Sequence, residues 1–150
     1  MRVLGDEFNV SEGTIYIRAK ALNKPEAGSV SPVLIGLSSA SSNVKLLIGY
    51  LKESGNFFIQ TPTGFANSGV DAALGYANIA VAFRGGSILG FINGLKAYEE
   101  SYTVEDFNGP MHIGSSVLGS STNASAIFKS AFVLPAALSE AELITLTGGT

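Results

Sequence analysis

From Thr14 to Ala21 the chain alternates strictly. Ile15, Ile17, Ala19 and Ala21 are apolar, and Thr14, Tyr16, Arg18 and Lys20 fall between them. Period-two alternation predicts a half-buried strand with one apolar and one polar face. Short apolar runs at Pro32 to Leu37 and Val44 to Leu51 predict two more strands, and Phe57 to Thr61 follows Gly55-Asn56. In Asn78 to Arg84, Ile79, Val81 and Phe83 share one side. Small Ala80 and Ala82 share the other, where a second layer can pack closely. Met111 to Gly114 and Ile127 to Leu134 are the last predicted strands.

Turn residues separate these runs: Ser38 to Asn43, Glu53-Ser54-Gly55-Asn56, Pro62-Thr63-Gly64 and Arg84-Gly85-Gly86-Ser87. The sharpest local signal is Phe91-Ile92-Asn93-Gly94-Leu95-Lys96. Asn-Gly between apolar strands predicts a type I′ hairpin, because both central residues need positive φ. Near the C-terminus the pattern changes. Ser139 and Glu142 have capping-box spacing, and Leu138 is placed to staple onto Leu143. A short helix is predicted over Glu140 to Leu146, stopped by Gly148-Gly149. Many short strands, Gly-rich turns and no helix between strands predict an all-β, two-sheet antiparallel sandwich with a short C-terminal helix. With no internal repeat or linker, residues 1–150 form one domain.

Composition narrows the function classes. At 150 residues a domain buries roughly 70% of its unfolded surface, so it needs no staples. The absence of cysteine excludes a disulfide framework and thiolate metal sites. Net charge is −3 and the Lys and Arg residues are scattered along the chain, which argues against nucleic-acid binding. Only 14% of residues are charged, against about 25% in an average protein. No apolar run reaches the roughly 20 residues of a membrane span. The N-terminus has Asp6 and Glu7 where an export signal needs its apolar stretch.

The residues offer little to catalysis. Acids occur as the adjacent pairs Glu99-Glu100 and Glu105-Asp106, which a strand sends to opposite faces, so no catalytic dyad is expected. His112 is the sole histidine; no Gly-x-Ser-x-Gly occurs, and a surface position is expected for it. One His without Cys excludes an ordinary transition-metal site. Asp71, Asp106 and Asn108 supply oxygen ligands but lack calcium-loop spacing, so no metal or cofactor is expected. Asn9-Val10-Ser11 and Asn123-Ala124-Ser125 match the glycosylation sequon. A β-sandwich that binds sugar uses solvent-facing aromatic rings beside hydrogen-bonding groups. Candidates are Tyr16 with Arg18, Tyr98 between Lys96 and Glu100, Phe58 between Asn56 and Gln60, and Tyr102 after the hairpin. The plainer alternative for each is strand-face cover or an oligomer contact.

Several stretches resemble the concanavalin A-like, laminin-G-type domain of bacteriophage tail proteins. They are Phe8 with Glu-Gly-Thr-Ile-Tyr-Ile (12–17), Asn-Ile-Ala-Val-Ala-Phe-Arg (78–84), Gly-Phe-Ile-Asn-Gly (90–94), Met-His-Ile-Gly-Ser (111–115), and the segment from Ile127 through Ala-Leu-Ser-Glu-Ala-Glu-Leu (137–143). Lys24 to Ser31 and Asp106 to Gly109 have no counterpart. The resemblance implies a jelly roll displayed on a virion tail or fibre, often as a trimer. It transfers no site residue; together with the absent catalytic pairs and the charge-poor composition it leads to the expectation of a lectin-like, receptor-binding module for a host-surface glycan or protein, with other virion proteins as neighbours. The glycanase branch's Glu-x-Asp-x-x-Glu is missing, so the expected module is non-catalytic. The alternative is a structural or assembly domain without free ligand.

Overall fold

A computed structural model describes residues 12–22, 31–38, 44–101, 111–114 and 124–149. Among these residues ten strands precede one helix: β1 (Glu12–Ala21), β2 (Val33–Ser38), β3 (Val44–Tyr50), β4 (Asn56–Gln60), β5 (Phe65–Asp71), β6 (Ala77–Arg84), β7 (Ser87–Ile92), β8 (Leu95–Glu100), β9 (Met111–Ile113), β10 (Ala126–Leu134) and α1 (Glu140–Gly148). They form two antiparallel five-stranded sheets. Sheet one has the order β10-β1-β6-β7-β8, and sheet two β5-β4-β3-β2-β9. The inward side chains of the two sheets fill one core, led by Ile15, Ile17, Ile79, Val81 and Phe83 from sheet one and Leu34, Leu46, Ile48, Phe57 and Ile59 from sheet two.

The predicted turns take the shapes their residues require. Asn93 (φ 51°) and Gly94 (φ 79°) form the β7–β8 hairpin, and Gly85 (φ 52°) and Gly86 (φ 85°) form the β6–β7 hairpin. β5 was not predicted. Its sequence, Phe-Ala-Asn-Ser-Gly-Val-Asp, is rich in residues that strands disfavour. It forms because it is an edge strand paired only to β4.

Outside sheet one, Ala80 and Ala82 do receive a second layer. α1 lies over them with Leu143 fully buried against Tyr16 and Phe91, and Leu138 packs in the same cluster. The capping box is complete, with Ser139 and Glu142 each accepting from the other's backbone N–H. Two buried polar residues of the sheet clamp this layer. Thr14 Oγ1 donates to the Ala136 carbonyl at 2.9 Å and accepts from the Leu138 N–H at 2.9 Å. Asn78 Nδ2 donates to the Thr147 and Gly149 carbonyls at 3.1 and 2.7 Å, which satisfies the orphan C-terminal end of α1. Thr147 Oγ1 also accepts from the Gly94 N–H at 3.0 Å, locking the helix end to the hairpin turn.

Asn78→Ala leaves two carbonyls and the Tyr16 hydroxyl without their buried partner. It is expected to lower unfolding free energy by about 2 kcal/mol. Tyr16→Phe, which removes one bond, is expected to lower it by about 1 kcal/mol. Urea unfolding followed by far-UV circular dichroism measures both, and equal midpoints for Asn78→Ala and the parent would refute the clamp.

Candidate functional site

The two outer faces of the sandwich decide where a ligand can sit. On sheet one α1 has taken part of the face, and Tyr16 goes with it. Its hydroxyl donates to Asn78 Oδ1 at 2.9 Å, and its ring stacks on Phe132 with centroids 4.7 Å apart. At 8% exposure Tyr16 is a docking residue for the helix, not an open platform. Arg18, two positions on, lies beyond the helix with its guanidinium carbon 5.9 Å from the centre of the Tyr76 ring.

Tyr98 also departs from expectation. A register shift between Gly90 and Phe91 in the β7–β8 pairing resets the alternation, so Tyr98 turns into the core. Its hydroxyl donates to Glu100, which also accepts from Thr61 Oγ1 and Thr63 Oγ1 at 2.6 Å each. This cluster joins β8, an edge of sheet one, to the β4–β5 turn of sheet two. Burial alone would raise the Glu100 pKa. The hydrogen bonds from Thr61, Thr63 and Tyr98 outweigh it and hold the carboxyl below its ordinary value. Tyr102 lies outside the described residues, as do Asp106, Asn108, the first sequon and Asn123 of the second.

Phe58 faces away from the core, and with Val33 and Leu47 it forms a buried apolar floor on the outer face of sheet two. Gly49 permits this, since a Cβ there would run into the Pro32 carbonyl and the Phe58 ring. Phe65 of β5 stacks on Phe58 with centroids 5.7 Å apart and remains 53% exposed. Gln60 and Asn67, both exposed, oppose Phe65 and Phe58 across the β4–β5 pair. Asn67 Oδ1 accepts from the Gly69 N–H at 3.0 Å, which leaves its NH2 group to donate outward. The Gln60 amide has no hydrogen-bond partner among the described residues.

An apolar ring in water beside uncommitted amides suits a pyranose. The ring covers the sugar's C–H face, and the amides take its hydroxyls. Phe65, Gln60 and Asn67 were not singled out from sequence, because β5 was not read as a strand. The Pro62-Thr63-Gly64 turn followed by Phe65 and Asn67 at period two is the signal that could have found them.

Other features are already engaged. A cavity of about 320 Å³ lies between the start of α1 and β6–β7, walled by Ala82, Leu89 and Leu138 with Arg84 and Glu142 at its rim. Arg84 bonds Glu12 and the Ala137 carbonyl, and Glu142 bonds Ser139, so the cavity is a seam of the helix docking. His112, half-buried on β9, has an Nε2 without a partner among the described residues. Among those residues no three His, Asp or Glu side chains converge as a metal site, and no helix is long and apolar enough to cross a membrane.

No family model and no curated protein matches the chain. Its fold is similar to a part of Trypanosoma rangeli sialidase in complex with sialic acid, with TM-score 0.74 and 14% identity over 91% of this chain and 22% of that one. The leech intramolecular trans-sialidase gives TM-score 0.70 and 18% identity, covering 94% of this chain and 24% of that one. The SAP-like pentraxin of Limulus polyphemus gives TM-score 0.63 and 15% identity, covering 89% and 68%. The chain thus spans less than a quarter of the sialidases' length. At these identities the likeness establishes the fold alone, a two-sheet antiparallel β-sandwich.

Because the folded pKa of Glu100 is depressed, its contribution to stability is present above the ordinary carboxylate value of about 4.3. That contribution is lost as pH falls through the folded value. Glu100→Gln is therefore expected to be less stable at pH 7 and to show a shallower loss of stability below about pH 4.3. Urea midpoints from pH 7 to pH 2.5 measure this, and parallel curves for the two proteins would show that the cluster does not favour the ionised form.

Proposed function

We propose that this chain is a non-catalytic carbohydrate-binding module that receives a saccharide on the outer face of sheet two. The observation that carries the reading is Phe65. It is an exposed ring braced by Phe58, with the amides of Gln60 and Asn67 directly beside it. The fold's similarity to part of a sialidase whose structure is in complex with sialic acid supports it. The carboxylates support the non-catalytic part. Among the described residues Glu12 is bonded to Arg84, Glu99 and Glu140 to Lys96, Glu100 to three hydroxyls and Glu142 to Ser139, so these five are engaged with neighbours within the fold. The setting implied by the sequence resemblance, a virion tail or fibre domain facing a host-surface glycan, belongs to this proposal, as does trimeric assembly.

An immobilised glycan panel tests it. The chain is expected to bind a subset of the panel, and Phe65→Ala to weaken that binding about tenfold. Thermal stability should barely change, since Phe65 is half exposed. Absence of signal across the panel, or full binding by Phe65→Ala, would overturn the reading. Light scattering on the same protein reports whether the chain assembles.

A further inference from the structure

On the opposite face of the molecule, beyond the end of α1, we propose a second site that takes the anionic group of a carboxylated or sulfated saccharide, built from Arg18, Lys20, Tyr76 and Lys129. This site does not rest on the reading of Phe65.

The construction begins with a β-bulge. β10 pairs with β1 as Arg18↔Ser130 and then Ala19↔Phe128, so Lys129 is an extra residue with no partner. Phe128 packs against the core, while Phe132 lies outside on Tyr16. A regular strand would put residues 128 and 132 on one face, so the extra residue reverses the alternation. The reversal brings the Lys129 ammonium to 5.6 Å from the Tyr76 ring centre, on the same ring that Arg18 approaches at 5.9 Å. Tyr76 is two positions before Asn78 and shares its outward face, and it is 40% exposed. Lys20 follows Arg18 by two residues on the same face, roughly 7 Å along the strand.

The charges are unbalanced there. Among the described residues no carboxylate pairs with Arg18, Lys20 or Lys129, whereas Arg84 has one partner and Lys96 has two. Arg18 Nε is buried without a hydrogen-bond partner. The Tyr76 ring attracts each cation, but the cations repel one another, and an anion seated among them relieves that repulsion. The exposed ring argues for a sugar, because it offers a C–H-stacking surface next to the charges. A nucleic acid would meet only this patch on a chain of net charge −3.

Binding to immobilised heparin, polygalacturonate, dextran and single-stranded DNA tests the site, using the parent chain, Tyr76→Ala, Lys129→Met and Phe65→Ala. Heparin, polygalacturonate or both should be held, with affinity falling as salt rises, and the one retained identifies the group as sulfate or carboxylate. Tyr76→Ala and Lys129→Met should each lose on the order of tenfold, with unchanged unfolding midpoints. Phe65→Ala should keep this binding, which separates failure here from failure at the other face. Equal or tighter binding of DNA, binding of neither acidic polymer, or acidic-polymer binding indifferent to Tyr76 and Lys129 would overturn the proposal.

Discussion

The docking of α1 on Ala80 and Ala82 determines what the rest of the surface can do. Two alanines on the outer face of a central strand leave a trough that only a second layer can fill. The helix fills it, and Thr14 and Asn78 fix where it begins and ends. This placement consumes Tyr16 and Phe91, whose rings would otherwise be exposed on that face. It stops short of Arg18 and Tyr76. Sheet one is therefore divided into a covered half and an open half, while the outer face of sheet two keeps its own aromatic floor.

Much of this architecture was legible in the sequence because the relevant signals are local. Asn93-Gly94 demands a particular turn, Ser139 and Glu142 cap a helix whose first turn they occupy, and Ala80 with Ala82 announce a close contact. The helix was placed to within two residues at its C-terminal end. β5 escaped because its pairing with β4, rather than its composition, makes it a strand. An edge strand with Asn67, Ser68 and Gly69 at its middle looks like a loop until a neighbour is available.

The candidate site was less legible, for a different physical reason. Alternation assigns a residue to a face only while the register runs unbroken. The irregularity between Gly90 and Phe91 turns Tyr98 inward, and the bulge at Lys129 turns Phe132 outward. Neither leaves a mark in hydrophobicity. Alternation also does not say what lies over a face, which is why Tyr16 read as open although the helix covers it. Phe58 was placed on the correct face, yet its contribution is as a floor beneath Phe65.

The charge distribution constrains how the two faces would act together. With net charge −3, the molecule repels a polyanion at long range, so the Arg18–Lys20–Lys129 patch cannot draw one from afar. Its field fades within about 8 Å at physiological ionic strength. Under the proposed reading such a patch would select an anion only on contact, where the Tyr76 ring adds stacking to charge. The Phe65 face carries an apolar ring and neutral amides, and under the proposed reading it would discriminate by shape and hydroxyl pattern. The two surfaces lie on opposite sides of one rigid sandwich, too far apart for a single sugar ring to bridge. A polymer or a crowded glycan surface, by contrast, can engage both, and joint engagement raises avidity without any new contact. Under the two proposals, separate subsites on opposite sides of the double sheet would suit a repetitive surface, because each could release while the other keeps the chain in place.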